Sequence, residues 1–327
     1  MAPGELRERV MRSLITGIDG FVGSHLAALL VGQGDEVGGT FNYDPQLKLL
    51  GKLIGKIKSY ELDVRNSDRL SRILSQFMPD RVFHLAAIAF VPISFENPKL
   101  VFEVNLFGTL NLYDSLRTLK MNPKVLFVST ADVYGTVSPG DLPIAENHRA
   151  EPTNPYAVSK LAAELVSTQY AHNYGMEIVC VRPFNHIGPG QSPQFVCSDF
   201  AKQIAEIEAG KREPVMRVGN LEPRRDFSDV RDVVGAYVLA MEKCPGDGSV
   251  YNIGSGKSHA IREILDMLLA MTKTKIKVER DGDRMRPSDT PHAYGDCSKF
   301  QKATGWKPEH DLKNTLAEIL DYWRAQV

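Results

Sequence analysis

A doubly wound parallel α/β sheet with a smaller, interleaved C-terminal lobe is the fold class that these 327 residues predict. Short apolar runs alternate with longer amphipathic ones, a glycine triplet sits where the first run meets the first amphipathic stretch, and the alternation loosens near residue 185. In order, "RSLIT" reads as a strand, "SHLAALLVGQG" as a helix, "DEVGGTF" as a strand, "SDRLSRILSQF" as a helix and "RVFHLAA" as a strand. A long helix near 97–119, the strand "KVLFVS", a helix over 155–174 and the strand "EIVCVRPFN" continue the alternation. The Pro- and Gly-rich "HIGPGQSPQ" marks a crossing to the second lobe, while "DVRDVVGAYVLAM" and "SVYNIGSG" return to the sheet. The expected division is therefore 12–180 plus about 228–254 for a dinucleotide-binding domain, and about 181–227 plus 255–327 for a substrate lobe.

Composition narrows the class. The chain is 43% hydrophobic, and its 39 Lys and Arg balance 40 Asp and Glu, so no polybasic surface points to nucleic acid or an anionic membrane. Any anionic ligand must be held locally. Cys180, Cys197, Cys244 and Cys297 are scattered, without a CxxC pair or a zinc-ligand spacing, and read as reduced thiols. No apolar run reaches the roughly 20 residues of a membrane helix, and "MAPGELRERVMR" lacks the apolar core of a secretory signal. A cytoplasmic location is the expectation.

"TGIDGFVGSHL" places Gly17, Gly20 and Gly23 at the first strand-to-helix turn, with Phe21 and Val22 between the last two. Glycines permit a tight turn there and let backbone amides approach a pyrophosphate. A structural turn can produce the same triplet, so its position in the sheet carries the reading. The next strand runs out in "VGGTFNYD", where Asn42 and Tyr43 stand in place of the acidic residue that usually binds a free ribose hydroxyl. NADP(H) is therefore expected, with tolerance of NAD(H). Asp63, followed by Val64 in "ELDVRN", is either an acceptor for the adenine amino group or a helix N-cap. Leu85, Ala86 and Ala87 of "HLAA" are small or apolar enough to lie against a dinucleotide.

In "EPTNPYAVSKLAAELV", Pro155 suits a first helical turn and Asn154 or Thr153 suits its cap. Tyr156 and Lys160 then share a face one turn apart. A phenol titrates near about 10, and an adjacent ammonium favours the phenolate, drawing proton transfer toward neutral pH. A surface Tyr and Lys is the bland reading of the same pair.

Together "TGIDGFVGSHL", "HLAA", "FVSTADVYG" and "YAVSK" resemble the sugar-nucleotide branch of the extended short-chain dehydrogenase/reductases, a Rossmann-type family, over nearly the whole chain. The resemblance implies a catalytic triad of Thr130, Tyr156 and Lys160, with Ser129 as a neighbour, and assigns Asn105 of "VNLFGTLNL" to supporting the lysine through a backbone kink or water. "GNLEPRRDFSDVRDVV" and "RMRPSD" resemble the nucleotide-sugar segments, where arginine forks grip a diphosphate. That carries over Arg225 and Arg286 as diphosphate ligands, leaves Arg224 and Arg284 to surface or supporting roles, and adds Val218, Asn220 and Asp289 near the base or ribose.

"RPFNHIGPGQSPQF" resembles the branch members that reduce the C4 ketone of GDP-4-keto-6-deoxy-D-mannose to GDP-D-rhamnose, with Asn185 as a sugar or phosphate contact and His186 as a structural histidine. In dehydratase relatives the place of Asp132 is typically a glutamate that handles water loss. Aspartate is one bond shorter, by roughly 1.5 Å, so Asp132 is expected to bind a sugar hydroxyl or fix its loop rather than dehydrate. A GDP-mannose 4,6-dehydratase, a nucleotide-sugar 4-epimerase and a non-catalytic dinucleotide sensor are the rival readings. Family members commonly pair helices near 97–119 and 155–174 into a four-helix bundle, so a homodimer is expected.

Overall fold

The computed structural model describes residues 10–42, 49–284 and 290–327. Its centre is a seven-stranded, wholly parallel sheet: β1 (Arg12–Thr16), β2 (Glu36–Phe41), β3 (Ile57–Glu61), β4 (Arg81–His84), β5 (Lys124–Val128), β6 (Ile178–Pro183) and, after the second lobe has begun, β10 (Asp247–Ile253). Spatial order is β3-β2-β1-β4-β5-β6-β10. The chain reverses its direction of travel between β1 and β4, so a crevice opens beyond their carboxyl ends. All residues of β4 and β6 are buried, as expected of strands covered on both faces.

Helices α1 (Phe21–Gly32) and α8 (Val230–Lys243) cover one face around Ile15, Leu26, Leu30, Val234 and Tyr237. On the other face, α2 (Ser67–Phe77), α5 (Gly108–Thr118) and α6 (Pro155–Tyr174) enclose Leu14, Leu70, Leu112, Phe127 and Ala163. In α2, Leu70, Ile73, Leu74 and Phe77 face inward on one stripe, and Asn66 caps the helix by accepting from Arg69 N. Asn154 caps α6 by accepting from Ala157 N, Pro155 occupies the first turn, and Gly175 ends it in the left-handed region.

The helix expected over 97–119 is interrupted. Following α3 (Val91–Glu96), α4 (Pro98–Phe102) leads into one wide π turn at Glu103–Phe107 before α5 begins. Asn105 lies in that turn, where its side-chain amide accepts from Ile88 N at 2.8 Å and donates to Ile88 O at 3.1 Å. Such turns cluster at functional sites.

The second lobe has its own core. Helices α7 (Val196–Glu208), α9 (Ile261–Leu269) and α11 (Leu312–Arg324) meet around Phe200, Ile204, Ile264, Leu268, Leu316 and Ile319. Short strands β7 (Asn185–Ile187), β11 (Ser258–Ala260) and β13 (His292–Ala293) gather on β9 (Arg224–Asp229), while β8 (Val215–Val218) pairs with β12 (Lys277–Arg280). Within 255–327, α10 (Ser298–Thr304) goes elsewhere: Phe300 and Trp306 pack with Tyr251 in the first core. Among the described residues, no helix is long and apolar enough to cross a membrane.

One buried ion pair joins these layers. Arg182 at the end of β6 donates to both Glu164 oxygens, at 2.9 and 2.5 Å, and both side chains are under a tenth exposed. Its guanidinium lies 4.8 Å from the centre of the Tyr134 ring, whose hydroxyl donates to Asn252 of β10. Removing one partner strands the other charge in the interior. Arg182→Met should therefore lower unfolding stability by about 3–5 kcal/mol in urea denaturation, and Arg182→Lys, which keeps a cation beside Glu164, should lose clearly less. Equal losses in the two variants would contradict that account.

Candidate active site

The carboxyl ends of β1, β4 and β5 converge with the start of α6. At the end of β1, Gly17 has φ +74°, and a side chain there would start 3.1 Å from the Ala86 backbone. A Cβ on Gly23 would sit 2.2 Å from Gly17 O, so the turn can close only on hydrogen. Helix α1 starts right after Gly20, and among the described residues no side chain caps it. Bare amides at a helix start beside a glycine cradle suit a pyrophosphate, so the loop fits a dinucleotide.

Phe21 reaches out of this loop and stacks on His186, with ring centres 6.2 Å apart, while His25 Nε2 donates to Pro189 O at 3.0 Å. The glycine loop and "HIGPG" are thereby packed together. Val22 is half-buried against the first core. Leu85 and Ala86 direct their amides to Thr16 Oγ1, each at 3.1 Å, and Ala87 follows, half-buried. Asn42 is exposed just past β2.

Asn66, rather than Asp63, is the helix cap expected in this stretch. Asp63 is instead gripped by Arg65 through its backbone and guanidinium, at 2.6–3.0 Å, and those bonds hold its carboxyl below the usual range. Arg65 also pairs with Glu103. The side chain of Val64 is buried in the sheet core, and its carbonyl accepts from Asn111.

Thr130 lies two residues beyond β5 and caps the short 3-10 turn Ala131–Tyr134, its hydroxyl oxygen accepting from Asp132 N at 3.2 Å. The Thr130 side chain is close enough to Tyr156 to draw its phenol pKa down. Burial, followed by the Asp132 carboxylate, pushes the Tyr156 phenol above its ordinary range. The shift runs opposite to the expected drift toward a neutral-pH phenolate: burial and Asp132 outweigh the lowering pull of Thr130, and the phenol keeps its proton. Lys160 lies one turn on, its Nζ 4.6 Å from the centre of the Phe127 ring. Burial lowers its pKa to about 8, against the opposing pull of Glu164. Asn105 reaches Ser159 Oγ, next to Lys160, at 3.0 Å.

On the substrate side, Asn185 is exposed at the first position of β7, and Arg225 is half-buried on β9 with its Nη1 donating to Arg224 O. Arg224 pairs with Glu263 at 2.9 Å and Arg284 with Asp199 at 2.6 Å, in keeping with supporting roles. Asn220 accepts from Glu222 N through its side chain. Val218 departs from its expected place: its side chain is fully buried in the second core, because β8 turns that face inward. Only its backbone remains available, and its carbonyl accepts from Asp281 N. Asp132 is exposed at the mouth of the crevice. Tyr43, Arg286 and Asp289 lie outside the described residues.

Sequence reasoning passed over several participants. Glu164 is i+4 from Lys160 on α6, a spacing that could have flagged it, but its partner Arg182 is 18 residues away. Gln191 of "HIGPGQ" is buried, donates through Nε2 to His186 O at 2.9 Å, and keeps an Oε1 with no partner among the described residues. Such an orphan acceptor facing a ligand loop is a signal only coordinates provide.

The chain is similar to known proteins along nearly its whole length. Residues 14–319 match the family model described as GDP-mannose 4,6 dehydratase. GDP-6-deoxy-D-mannose reductase of Pseudomonas aeruginosa is 36% identical, covering 97% of this chain and 98% of its own. The solved structure of RMD from Pseudomonas aeruginosa complexed with NADPH superimposes with a TM-score of 0.84 at 35% identity, covering 97% of this chain and all of that one. A Thermus thermophilus UDP-glucose 4-epimerase complexed with NAD gives 0.85 at 31%, with 97% and 100% coverage. A glycine cradle, a Thr–Tyr–Lys constellation and a match along the whole two-lobed chain have one common explanation: this protein belongs to the GDP-mannose 4,6-dehydratase family of extended short-chain dehydrogenase/reductases.

Proposed function

We propose that this enzyme uses NADPH, with NADH as an accepted substitute, to reduce the C4 ketone of GDP-4-keto-6-deoxy-D-mannose to GDP-D-rhamnose. The observation that carries the reading is Thr130 beside the buried Tyr156, with Lys160 one turn on, in a chain that aligns over 97% of its length with a GDP-6-deoxy-D-mannose reductase. An NADPH-bound neighbour and an NAD-bound one support both cofactors. Asp132, shorter than the glutamate of dehydratases and exposed, favours reduction over water loss.

Bound NADPH supplies the hydride for C4 and ends as NADP⁺. Thr130 and Tyr156 donate to the ketone oxygen and draw charge toward it. Tyr156 then releases its phenolic proton to that oxygen, so the carbonyl gains one hydride and one proton and becomes a secondary alcohol. The raised phenol pKa suits this acid role, because the proton is still present at neutral pH. The Lys160 ammonium stabilises the phenolate left behind and would hold the nicotinamide ribose. Gly17, Gly20, Phe21, Val22 and Gly23 would receive the pyrophosphate, Asn42 and Asp63 the adenosine end, and Leu85, Ala86 and Ala87 the strip between. Asn185, Arg225, Arg286, Asn220 and Asp289 would take the GDP-sugar.

The same reading assigns 12–180 with 228–254 to the cofactor and the remainder to the sugar nucleotide, with 298–306 added to the first part by the packing of Phe300 and Trp306. A cytoplasmic homodimer completes it. Phe95, Phe107, Val158 and Leu165 stand exposed on α3, the π turn and α6, an apolar set that supports pairing of these helices.

Three outcomes are expected. NADPH absorbance should fall in one-to-one proportion to GDP-4-keto-6-deoxy-D-mannose, and not with dTDP or UDP ketosugars. Conversion of GDP-mannose to a ketosugar on adding NADP⁺ would instead make Asp132 a working dehydration acid. Tyr156→Phe should lower kcat by roughly 10²–10⁴ while NADPH affinity, read by fluorescence, changes less than about twofold. Because the Lys160 ammonium is present below about 8 and lost above it, kcat/KM should decline as pH rises through about 8. Lys160→Arg should move that decline to higher pH, and an unmoved profile would assign it to another group.

A further inference from the structure

His84 of "HLAA" takes no part in the chemistry above, yet it is 2% exposed and hydrogen-bonded at both ring nitrogens. Its Nδ1 lies 2.8 Å from Thr16 Oγ1 and its Nε2 3.1 Å from Thr109 Oγ1. Chemistry allows only one assignment of the protons. Thr109 must spend its hydroxyl proton on the carbonyl of Asn105, at 2.7 Å, so it can only accept from the imidazole. Nε2 therefore carries the ring proton and Nδ1 is bare. Thr16 Oγ1 already accepts from the amides of Leu85 and Ala86, each at 3.1 Å, and its own proton completes the bond to Nδ1. A second ring proton would break this bond, and burial with the Lys160 charge lowers the His84 pKa to about 3.

The bonds run on without interruption. From Asn105, the side-chain amide donates to Ser159 Oγ at 3.0 Å, and Ser159 donates to the carbonyl of Tyr156 at 2.7 Å. At the other end, the Ala86 backbone is the surface against which Gly17 closes. One chain of side chains, each buried, thus links the strip beside the glycine loop to the residue that delivers the proton. The Thr16 hydroxyl has its capacity filled and the single proton of Thr109 is committed to Asn105 O, so neither half can shift without orphaning a group in the other.

We infer that Thr16, His84 and Thr109 form a positioning relay, with the imidazole held as the neutral Nε2–H form, that couples occupation of the dinucleotide strip to the placement of Tyr156. The inference rests on the cofactor assignment under Proposed function. Coupling shows in binding free energy, so a cut on the catalytic side must be felt in cofactor affinity, and a cut on the cofactor side displaces Tyr156 and is read separately as kcat.

The test uses the isosteric pair Thr16→Val and Thr109→Val with the conservative controls Thr16→Ser and Thr109→Ser. NADPH affinity is measured without sugar and kcat at saturating NADPH. Thr109→Val should weaken NADPH binding by about five- to tenfold and Thr16→Val should lower kcat by a similar factor, with serine restoring both. The double Val variant should lose less than the product of the singles. Nitrogen NMR of labelled histidine should show one imidazole fixed with a protonated Nε2 from pH 5.5 to 8.5. NADPH affinity within twofold of wild type in Thr109→Val, serine variants as impaired as valine ones, or a titrating His84 would each overturn the relay. Wild-type protein that binds neither NADPH nor NADH would sink the cofactor assignment together with the relay, and the wild type alone reports that result.

Discussion

Lys160 is 5% exposed, and an ammonium taken that far from water is costly unless other charges answer it. Its nearest answer is Glu164, one turn along α6, which raises a pKa that burial lowers. Glu164 is in turn held by Arg182, and Arg182 by Tyr134 and the loop carbonyl of Glu146. The charge of one active-site group therefore depends on packing among β6, α6, β10 and the turn after β5. This also explains why charged residues lie where a parallel sheet would otherwise hold only apolar ones.

The same desolvation acts in opposite senses on the two partners of the pair. It drives the Lys160 proton off more easily and the Tyr156 proton off less easily. A ketone reduction needs an acid that still has its proton at neutral pH and a cation near enough to receive the phenolate that results. An enzyme of this family that opens with proton removal would need the corresponding phenol pKa brought down instead. One scaffold can thus serve reductases, epimerases and dehydratases, the families of relatives matched by this chain.

Between the cofactor loop and the substrate loop, contact is direct. Phe21 against His186, and His25 to Pro189, join the start of α1 to "HIGPG" across more than 160 positions of sequence. The Oε1 of Gln191, without a partner among the described residues, lies in the same loop. With the relay through His84 on the other flank of the glycine cradle, the dinucleotide site is bounded by elements that also hold the reacting groups. Close approach of backbone at Gly17 and Gly23 is what allows so many elements to meet there.

Much of this was legible in the amino-acid order. The strands and helices of the sheet, the Asn154–Pro155 start of α6, the glycine cradle and the i,i+4 relation of Tyr156 and Lys160 all rest on neighbours within a few residues, and local rules suffice for those. Other features were not legible. The burial of Val218, the return of Phe300 and Trp306 to the first core, the raised pKa of Tyr156 and the proton on His84 Nε2 each depend on partners far apart in the chain, whereas the kink at Asn105 was legible only through the family resemblance. Thr16 and His84 are 68 positions apart, Asn105 and Ser159 54. Sequence alone determined which local elements form and which chemistry they can carry; only the tertiary structure decided which buried groups face one another, because protonation and desolvation are set by neighbours in space.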